Sequence, residues 1–301
     1  MRNEFIKHLV ELAEKDESIA LVVGDLGFGV VEPFAERFPN RFFNSGVAEQ
    51  NMMGLAAGLA SEGYHVFVYS IANFPIFRCA EQIRNDVCYH DLPVTVVSVG
   101  GGLAYGNLGY SHHAVQDFSF MRVLPGMTIL APGDPNETKK CLDFLVRNPG
   151  PSYLRLGKTG EKNYSSALVL QGEGAFEPIL SNESSKTAVI STGAALQNIQ
   201  KILKELKLTD INLLTCPIWG IEMKKNVNKD LAKYNKIISV EDHLIDGGFG
   251  SWVLESLEAS ARSKLRILGL DKSVCGRVGS QNYLNELGGI NSETFGQMIA
   301  N

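Results

Sequence analysis

Glu49 is the first residue of this sequence whose type and surroundings could do chemistry. It is the only acidic residue in the range 42–61, a stretch of small and apolar residues typical of a buried helix. Asn44 and Ser45 are residue types that cap a helix start, and Gly46 permits a sharp turn before it. The acid therefore falls in the first helical turn.

Two interpretations of Glu49 follow. It can be a solvent-facing carboxylate that interacts with the helix dipole, which stabilises by about 0.3–1 kcal/mol. Alternatively, the small residues along the helix allow close approach of another backbone, often that of a partner subunit. An acid buried at the head of such a helix is favoured in its protonated form, which is typical of a catalytic carboxyl.

A second candidate site lies in the glycine-rich segment 100–117, which follows an apolar run and contains His112 and His113. Ser111 is a candidate N-cap for the helix that we expect next. A histidine at the carboxyl edge of a parallel sheet can act as an acid, a base or a hydrogen-bond donor. The alternative is a pair of surface histidines at a helix start.

Phe74 and Phe77 form a third candidate, because they lie where an apolar run passes into a helical pattern. Aromatic residues at such a junction are usually part of the core. They can also form a platform on which a planar ring stacks.

Short apolar runs alternate with helical patterns around these residues. We predict strands at 19–25, 65–70, 93–100, 127–134 and 151–156, and helices at 47–62, 75–90, 114–122 and 135–147. Asp134 followed by Pro135 marks the start of the last helix. This alternation predicts an α/β fold with a parallel sheet covered on both faces.

Residues 159–185 are polar and glycine-rich and interrupt the alternation. It then restarts, with strands at 187–193, 210–216, 235–242 and 265–270 and helices at 194–206 and 250–263. The sequence therefore predicts two consecutive α/β domains, residues 1–160 and 186–301, joined by a linker at 161–185.

Composition excludes several classes of function. The chain has 301 residues, of which 45% are hydrophobic and 20% charged, and a net charge of −5 without a long basic run, so we expect no nucleic-acid partner. No apolar stretch is long enough to span a membrane. The five cysteines lack a CxxC motif, which predicts reduced thiols in a cytoplasmic protein. The six histidines lack a metal-binding spacing, so we expect no metal held by this chain alone.

Four segments, in this order, resemble the transketolase family of thiamine-diphosphate enzymes. They are RFFNSGVAEQNMMGLAAGLA (41–60), NFPIFRCAEQIRNDV (73–87), GYSHHAVQDFSFMRVLPGMTILAPGD (109–134) and VEDHLIDGGFGSWV (240–253). The resemblance covers the whole chain but only the second half of a full-length transketolase. It implies a pyrimidine-binding domain at 1–160 and a transketolase C-terminal domain at 186–301.

The family's diphosphate-binding motif, GDG followed by an asparagine, does not occur in this sequence. The resemblance therefore implies one subunit of a split transketolase, whose partner is an N-terminal subunit that carries GDG and holds Mg²⁺ or Ca²⁺ with the diphosphate. Self-association into a heterotetramer is also expected.

The resemblance gives the candidate residues chemical roles. Glu49 is expected to form a hydrogen bond with a ring nitrogen of the aminopyrimidine, which lets the cofactor form its ylid. Phe74, or Phe77 in its place, is expected to stack on the pyrimidine, and Arg78 to contact the cofactor. His112 matches a histidine near the reacting carbon.

His113 is a further candidate for substrate binding. Three other substrate positions depart from the family pattern. Gly100 stands where transketolases have a histidine, Leu108 where they have an aspartate, and Lys158 where many relatives have a phosphate-binding arginine. We therefore expect the part of the site that binds thiamine to be intact, and the part that binds the sugar to be rebuilt, with residues that differ from those of the family.

The expected function is transfer of a two-carbon ketol unit from a ketose donor to an aldehyde or ketone sugar acceptor. One alternative is a pyruvate-decarboxylating thiamine enzyme, similar to deoxyxylulose-phosphate synthase or to the beta subunit of a 2-oxoacid dehydrogenase. Another is a non-catalytic regulatory subunit.

Overall fold

The computed structural model describes residues 1–158, 160–166 and 176–300, which form two sheets of seven and five strands. The first strands are β1 (Ile19–Val23), β2 (Phe42–Asn44), β3 (His65–Ile71), β4 (Val94–Val99), β5 (Thr128–Leu130) and β6 (Ser152–Leu156). The later strands are β7 (Glu177–Leu180), β8 (Thr187–Ser191), β9 (Asn212–Thr215), β10 (Ile218–Gly220), β11 (Lys236–Leu244) and β12 (Leu265–Leu270).

Both sheets are mainly parallel. The larger sheet has the order β10-β5-β6-β4-β3-β1-β2, with β10 antiparallel to β5. The smaller has the order β12-β11-β8-β9-β7, with β7 antiparallel to β9. Strands β1 and β4 are buried along their whole length, as expected where helices cover both faces of a sheet. The predicted fold class is confirmed.

Helices occupy the connections between the strands. They are α1 (Arg2–Ala13), α2 (Glu32–Arg37), α3 (Glu49–Ser61), α4 (Phe74–Phe77), α5 (Ala80–Gln82), α6 (Asp117–Met121), α7 (Pro135–Arg147), α8 (Ala195–Glu205), α9 (Lys224–Leu231), α10 (Phe249–Ser256), α11 (Gln281–Leu287) and α12 (Ser292–Ala300). None of the helices in the described ranges is both long and apolar enough to cross a membrane.

Two helices predicted in the first half of the chain differ from the observed ones. The helix expected at 75–90 is divided into α4, α5 and a π-helical turn, Ile83–Cys88, because Cys79 has a non-helical backbone between α4 and α5. The helix expected at 114–122 starts only at α6. Ala114 instead forms two backbone hydrogen bonds with Gly102, each 2.9 Å long.

Several elements of the second half were not predicted. Strand β7 lies inside the expected linker, whose residues 167–175 are outside the described residues. Strand β10 follows that linker in the chain but belongs to the first sheet. The helix expected at 250–263 ends at Ser256, and α11 and α12 had no counterpart in the sequence-based expectation.

Two buried carboxyls bind helix starts. Asp134 caps α7 as predicted, accepting a hydrogen bond of 2.9 Å from the backbone N–H of Glu137. Glu241 in β11 accepts hydrogen bonds from the backbone N–H groups of Phe249 (2.6 Å) and Gly250 (2.9 Å), at the start of α10. Burial raises the pKa of the Glu241 carboxyl from 4.5 to about 8.

The raised pKa of Glu241 predicts that the contribution of this carboxyl to the stability of the chain is lost as pH rises from about 5 to 8. In this window the folded chain keeps the proton that the unfolded chain has released, so the free energy of unfolding decreases. In the variant Glu241→Gln, the free energy of unfolding should decrease less as pH rises. Urea unfolding at pH 5, 6, 7 and 8 would measure it.

Glu255→Gln is the control, because hydrogen bonds from Arg122 hold the pKa of Glu255 at about 2, below this window. Glu137, whose pKa burial raises to about 8, contributes to the pH dependence that remains in Glu241→Gln. Parallel curves for the wild type and Glu241→Gln would contradict the prediction.

Candidate active site

The candidate residues gather at one edge of the larger sheet. Helix α3 begins after β2, α4 begins after β3, and the segment 100–117 follows β4. Because these strands are parallel, their carboxyl ends lie along the same edge, where open α/β sheets bind ligands.

Glu49 is the first residue of α3 and is only 5% exposed, so the solvent-facing interpretation is wrong. Its Oε1 accepts a 2.7 Å hydrogen bond from Nη1 of Arg78. Its Oε2 has no hydrogen-bond partner among the described residues. The expected caps do not form: the amide of Asn44 bonds Asp25, and the Ser45 hydroxyl donates to the carbonyl of Val23.

Arg78 connects the carboxylate with the aromatic candidates. Its guanidinium carbon lies 4.1 Å from the ring centroid of Phe74, in a cation–π contact, while its terminal nitrogen binds Glu49. The four-residue spacing of Phe74 and Arg78 brings the two side chains to one face of the helical turn. That spacing was the available sequence signal for the contact.

Two adjoining cavities open beside this cluster. One, of about 550 Å³, is lined by Glu49, Phe77 and Arg78 together with neighbouring residues of α3. The other, of about 540 Å³, is lined by Phe74, Phe77, Arg78 and residues of the histidine segment. Phe77 is 47% exposed and Phe74 is partly buried, so the interpretation of both as core residues is wrong.

The two histidines have different surroundings. His112 is partly buried, its ring meets that of Phe74 edge-on at 5.2 Å, and its Nδ1 lies 2.9 Å from the Ser111 hydroxyl. Burial, and then the neighbouring His113 and Arg78, lower the pKa of His112 below 6.5. The imidazole of His112 is therefore neutral at neutral pH.

His113 is completely buried, so it is not a surface residue. Its Nε2 lies 3.4 Å from the carbonyl of Gly106, and its Nδ1 has no hydrogen-bond partner in the described part of the chain. It lines the cavity of about 540 Å³, together with Phe74 and Phe77. The predicted Ser111 cap is also wrong, because α6 starts six residues later, at Asp117.

Tyr105 contacts all three positions that depart from the family pattern. No sequence motif had indicated this residue. A Cβ on Gly100, whose φ is +86°, would overlap the Tyr105 ring. The ammonium of Lys158 lies 4.7 Å from the centroid of the same ring. Leu108 is 57% exposed, and its N–H donates a 2.8 Å hydrogen bond to the Tyr105 carbonyl.

Metal-ligating side chains do not cluster here: within the described ranges no group of three or more His, Cys, Asp or Glu residues could hold a metal ion.

Comparison with known proteins identifies the family of this chain. The sequence model of the family described as "Transketolase, pyrimidine binding domain" matches residues 1–161. A putative transketolase C-terminal section from Methanocaldococcus jannaschii is 33% identical over 99% of this chain and 95% of the relative. The chain therefore belongs to the transketolase family.

Other relatives differ in length. A subunit of the apulose-4-phosphate transketolase from Phocaeicola vulgatus is 32% identical over 89% of this chain and 86% of the relative. The 1-deoxy-D-xylulose-5-phosphate synthase of Aquifex aeolicus is 34% identical over 96% of this chain, which spans 46% of that relative.

Among solved structures, a split gene transketolase, described as an inactive beta4 tetramer, superposes with a TM-score of 0.83. It is 26% identical, and the match covers 99% of this chain and 96% of that one. The likeness therefore extends over both α/β halves of the chain.

The Tyr105 contact predicts that Gly100→Ala is more destabilising than an ordinary substitution at positive φ. Gly63→Ala is the matched control, since Gly63 has a φ of +96° and a Cβ added to it would meet no atom within 4 Å. Backbone strain should cost about 1–3 kcal/mol in both variants. Gly100→Ala should cost more, because it also displaces the Tyr105 ring.

Adding Tyr105→Ala to Gly100→Ala should remove this extra cost, which urea unfolding of the four members of the double-mutant cycle would measure. Strictly additive effects of the two substitutions would contradict the contact.

Proposed function

We propose that this chain is the pyrimidine-binding and C-terminal subunit of a two-chain, thiamine-diphosphate-dependent transketolase-like enzyme. The enzyme transfers a two-carbon ketol unit from a ketose donor to an aldehyde or ketone sugar acceptor. The observation that carries the proposal is a buried carboxylate, Glu49, at the wall of a cavity that it shares with Phe77 and Arg78.

The residues present fit the aminopyrimidine of thiamine diphosphate. A planar heterocycle needs an apolar surface for its face and a polar partner for its ring nitrogens. Phe74 and Phe77 supply the apolar surface and Glu49 supplies the polar partner. The unpartnered Nδ1 of buried His113 provides a further polar group at the adjoining cavity.

When bound, the cofactor supplies the carbon nucleophile and electron sink of the reaction. Glu49 has the role of holding a proton between its carboxyl and a ring nitrogen, and Oε2 is left for this purpose while Oε1 binds Arg78. Neutral His112 can accept a proton from a substrate hydroxyl and can return it from the imidazolium that forms.

A partner subunit and self-association are parts of the proposal. In it residues 1–160 form the pyrimidine-binding domain, 186–301 form the C-terminal domain, and an N-terminal subunit carrying GDG holds Mg²⁺ or Ca²⁺ with the diphosphate. The names of two relatives, one a C-terminal section and the other a transketolase subunit, support this division. The exposed face of α3 includes Gly54 and Gly58, which allow close packing of another chain.

The acceptor is proposed to differ from the sugar phosphates of ordinary transketolases. Tyr105 occupies the space above Gly100, and Lys158 lies against its ring instead of presenting a bidentate guanidinium. A relative named for apulose 4-phosphate supports an unusual sugar as the substrate of this enzyme. We propose a modified or nucleotide-linked sugar as the acceptor.

Glu49→Gln should lower turnover of the two-subunit complex by about 10²–10⁴-fold, because glutamine cannot exchange a proton with the ring nitrogen. Glu81→Gln is a matched control, since Glu81 is exposed and stands in a second Ala-Glu-Gln sequence, 80–82. Size-exclusion chromatography should give the same complex for both variants. A fully active Glu49→Gln complex would instead favour the non-catalytic regulatory subunit.

Substrate assays of the complex test the rebuilt sugar site. We expect poor turnover of xylulose 5-phosphate with ribose 5-phosphate, and better turnover with a modified acceptor. Efficient turnover of that standard pair would contradict the rebuilt site. The similarity to a 1-deoxy-D-xylulose-5-phosphate synthase supports a second candidate function, for which carbon dioxide release from pyruvate is the diagnostic measurement.

A further inference from the structure

Arg155, in strand β6, is a buried arginine whose three guanidinium nitrogens all donate hydrogen bonds. It is 2% exposed, and its Nε donates to Oδ2 of Asp117 at 2.6 Å. Its Nη1 donates to Oδ1 of Asp242 at 2.6 Å. Its Nη2 donates to the carbonyls of Ala114 (2.8 Å) and Asp242 (3.1 Å). One guanidinium therefore binds two chain segments besides its own, the segment 100–117 and strand β11.

Two of these partners belong to the segment that carries His112 and His113. We call residues 102–114 the histidine loop, because the backbone hydrogen bonds between Gly102 and Ala114 close it. Ala114 is thus one side of the neck of the loop, and it accepts a hydrogen bond from Arg155.

The other side of the neck is packed against the same charged cluster. A Cβ on Gly101 would lie 2.7 Å from the guanidinium of Arg155, and a Cβ on Gly102 would overlap the Asp242 carboxylate. Only glycine allows the backbone to approach this closely. Both sides of the neck are therefore fixed by Arg155 and Asp242.

Asp242 belongs to β11, a strand of the smaller sheet, which does not contribute to the two candidate cavities. We propose that Arg155 is a positioning residue: together with Asp242, it fixes the neck of the histidine loop, so that the second domain sets where His112 lies in the first. The effect that we expect on turnover rests on the proposed function.

A cluster of this kind tolerates little displacement. Removal of one partner from a buried ion pair leaves an uncompensated charge in the interior, so the neighbouring backbone must move or admit water. Movement of the neck would displace His112, and a misplacement of about 1 Å at a reacting group lowers the rate by about 10²-fold.

A second contact between the two domains provides a matched comparison. Arg122 donates hydrogen bonds to Glu255 in α10 at 2.7 and 3.1 Å. This pair also joins the domains, but Glu255 is about half exposed and neither residue contacts the histidine loop in the hydrogen bonds described. If loosening any contact between the domains displaced the histidine loop, breaking the Arg122–Glu255 pair would displace it as much as breaking the contact between Arg155 and Asp242.

The experiment compares Asp242→Asn with Glu255→Gln in the assembled two-subunit enzyme. Asp242→Asn should lower kcat by about 10²-fold, with the KM values and cofactor affinity changed less than about twofold. Hydrogen–deuterium exchange should increase in peptides that cover residues 100–117. Glu255→Gln should leave kcat and this exchange unchanged.

Arg155→Lys is the second variant, because an ammonium keeps the charge but cannot span both carboxylates. It should reproduce the exchange and kcat changes if Asp242→Asn fails to fold. Unchanged exchange at 100–117, or an equal response to Glu255→Gln, would overturn the proposal. If the complex proves inactive on all ketol donors, the proposed function fails, while hydrogen exchange still decides whether Arg155 fixes the loop.

Discussion

The buried charge of Arg155 is the constraint on which the arrangement of this protein depends. An arginine in the interior must have all its charge and hydrogen-bonding groups compensated, and here the compensation comes from both halves of the chain. The guanidinium also lies 4.3 Å from the Phe118 ring centroid, so α6 packs on the same group. The two sheets, the histidine loop and α6 are consequently held in one geometry.

The Glu49 side of the candidate site depends on a second charged contact, of a different kind. Arg78 is half exposed and binds buried Glu49 from the open side of the cavity. A surface guanidinium can move without leaving a charge in a dry interior, whereas Arg155 cannot. The structure thus places a buried guanidinium, that of Arg155, beside the histidine loop and a half-exposed one, that of Arg78, beside Glu49.

Sequence predicted the parts of the structure that local pattern determines. Long apolar runs predicted β3 and β4, and the Asp134-Pro135 pair predicted the start of α7. The residue types of Glu49 and His112 indicated the candidate site. The sequence could not predict β10, because three residues that join a distant sheet carry no pattern of their own. Tyr105 and Arg155 were missed for the same reason: their importance arises from contacts made by residues far apart in the chain.

We propose that this chain supplies the pyrimidine half of a thiamine diphosphate site that a partner subunit completes. Calorimetric titration of thiamine diphosphate with Mg²⁺ into this chain, into the N-terminal subunit and into their mixture tests it directly. The mixture should bind the cofactor at least about tenfold more tightly than either chain does, a difference of about 1.4 kcal/mol. Binding to this chain alone that is as tight as binding to the mixture would contradict it.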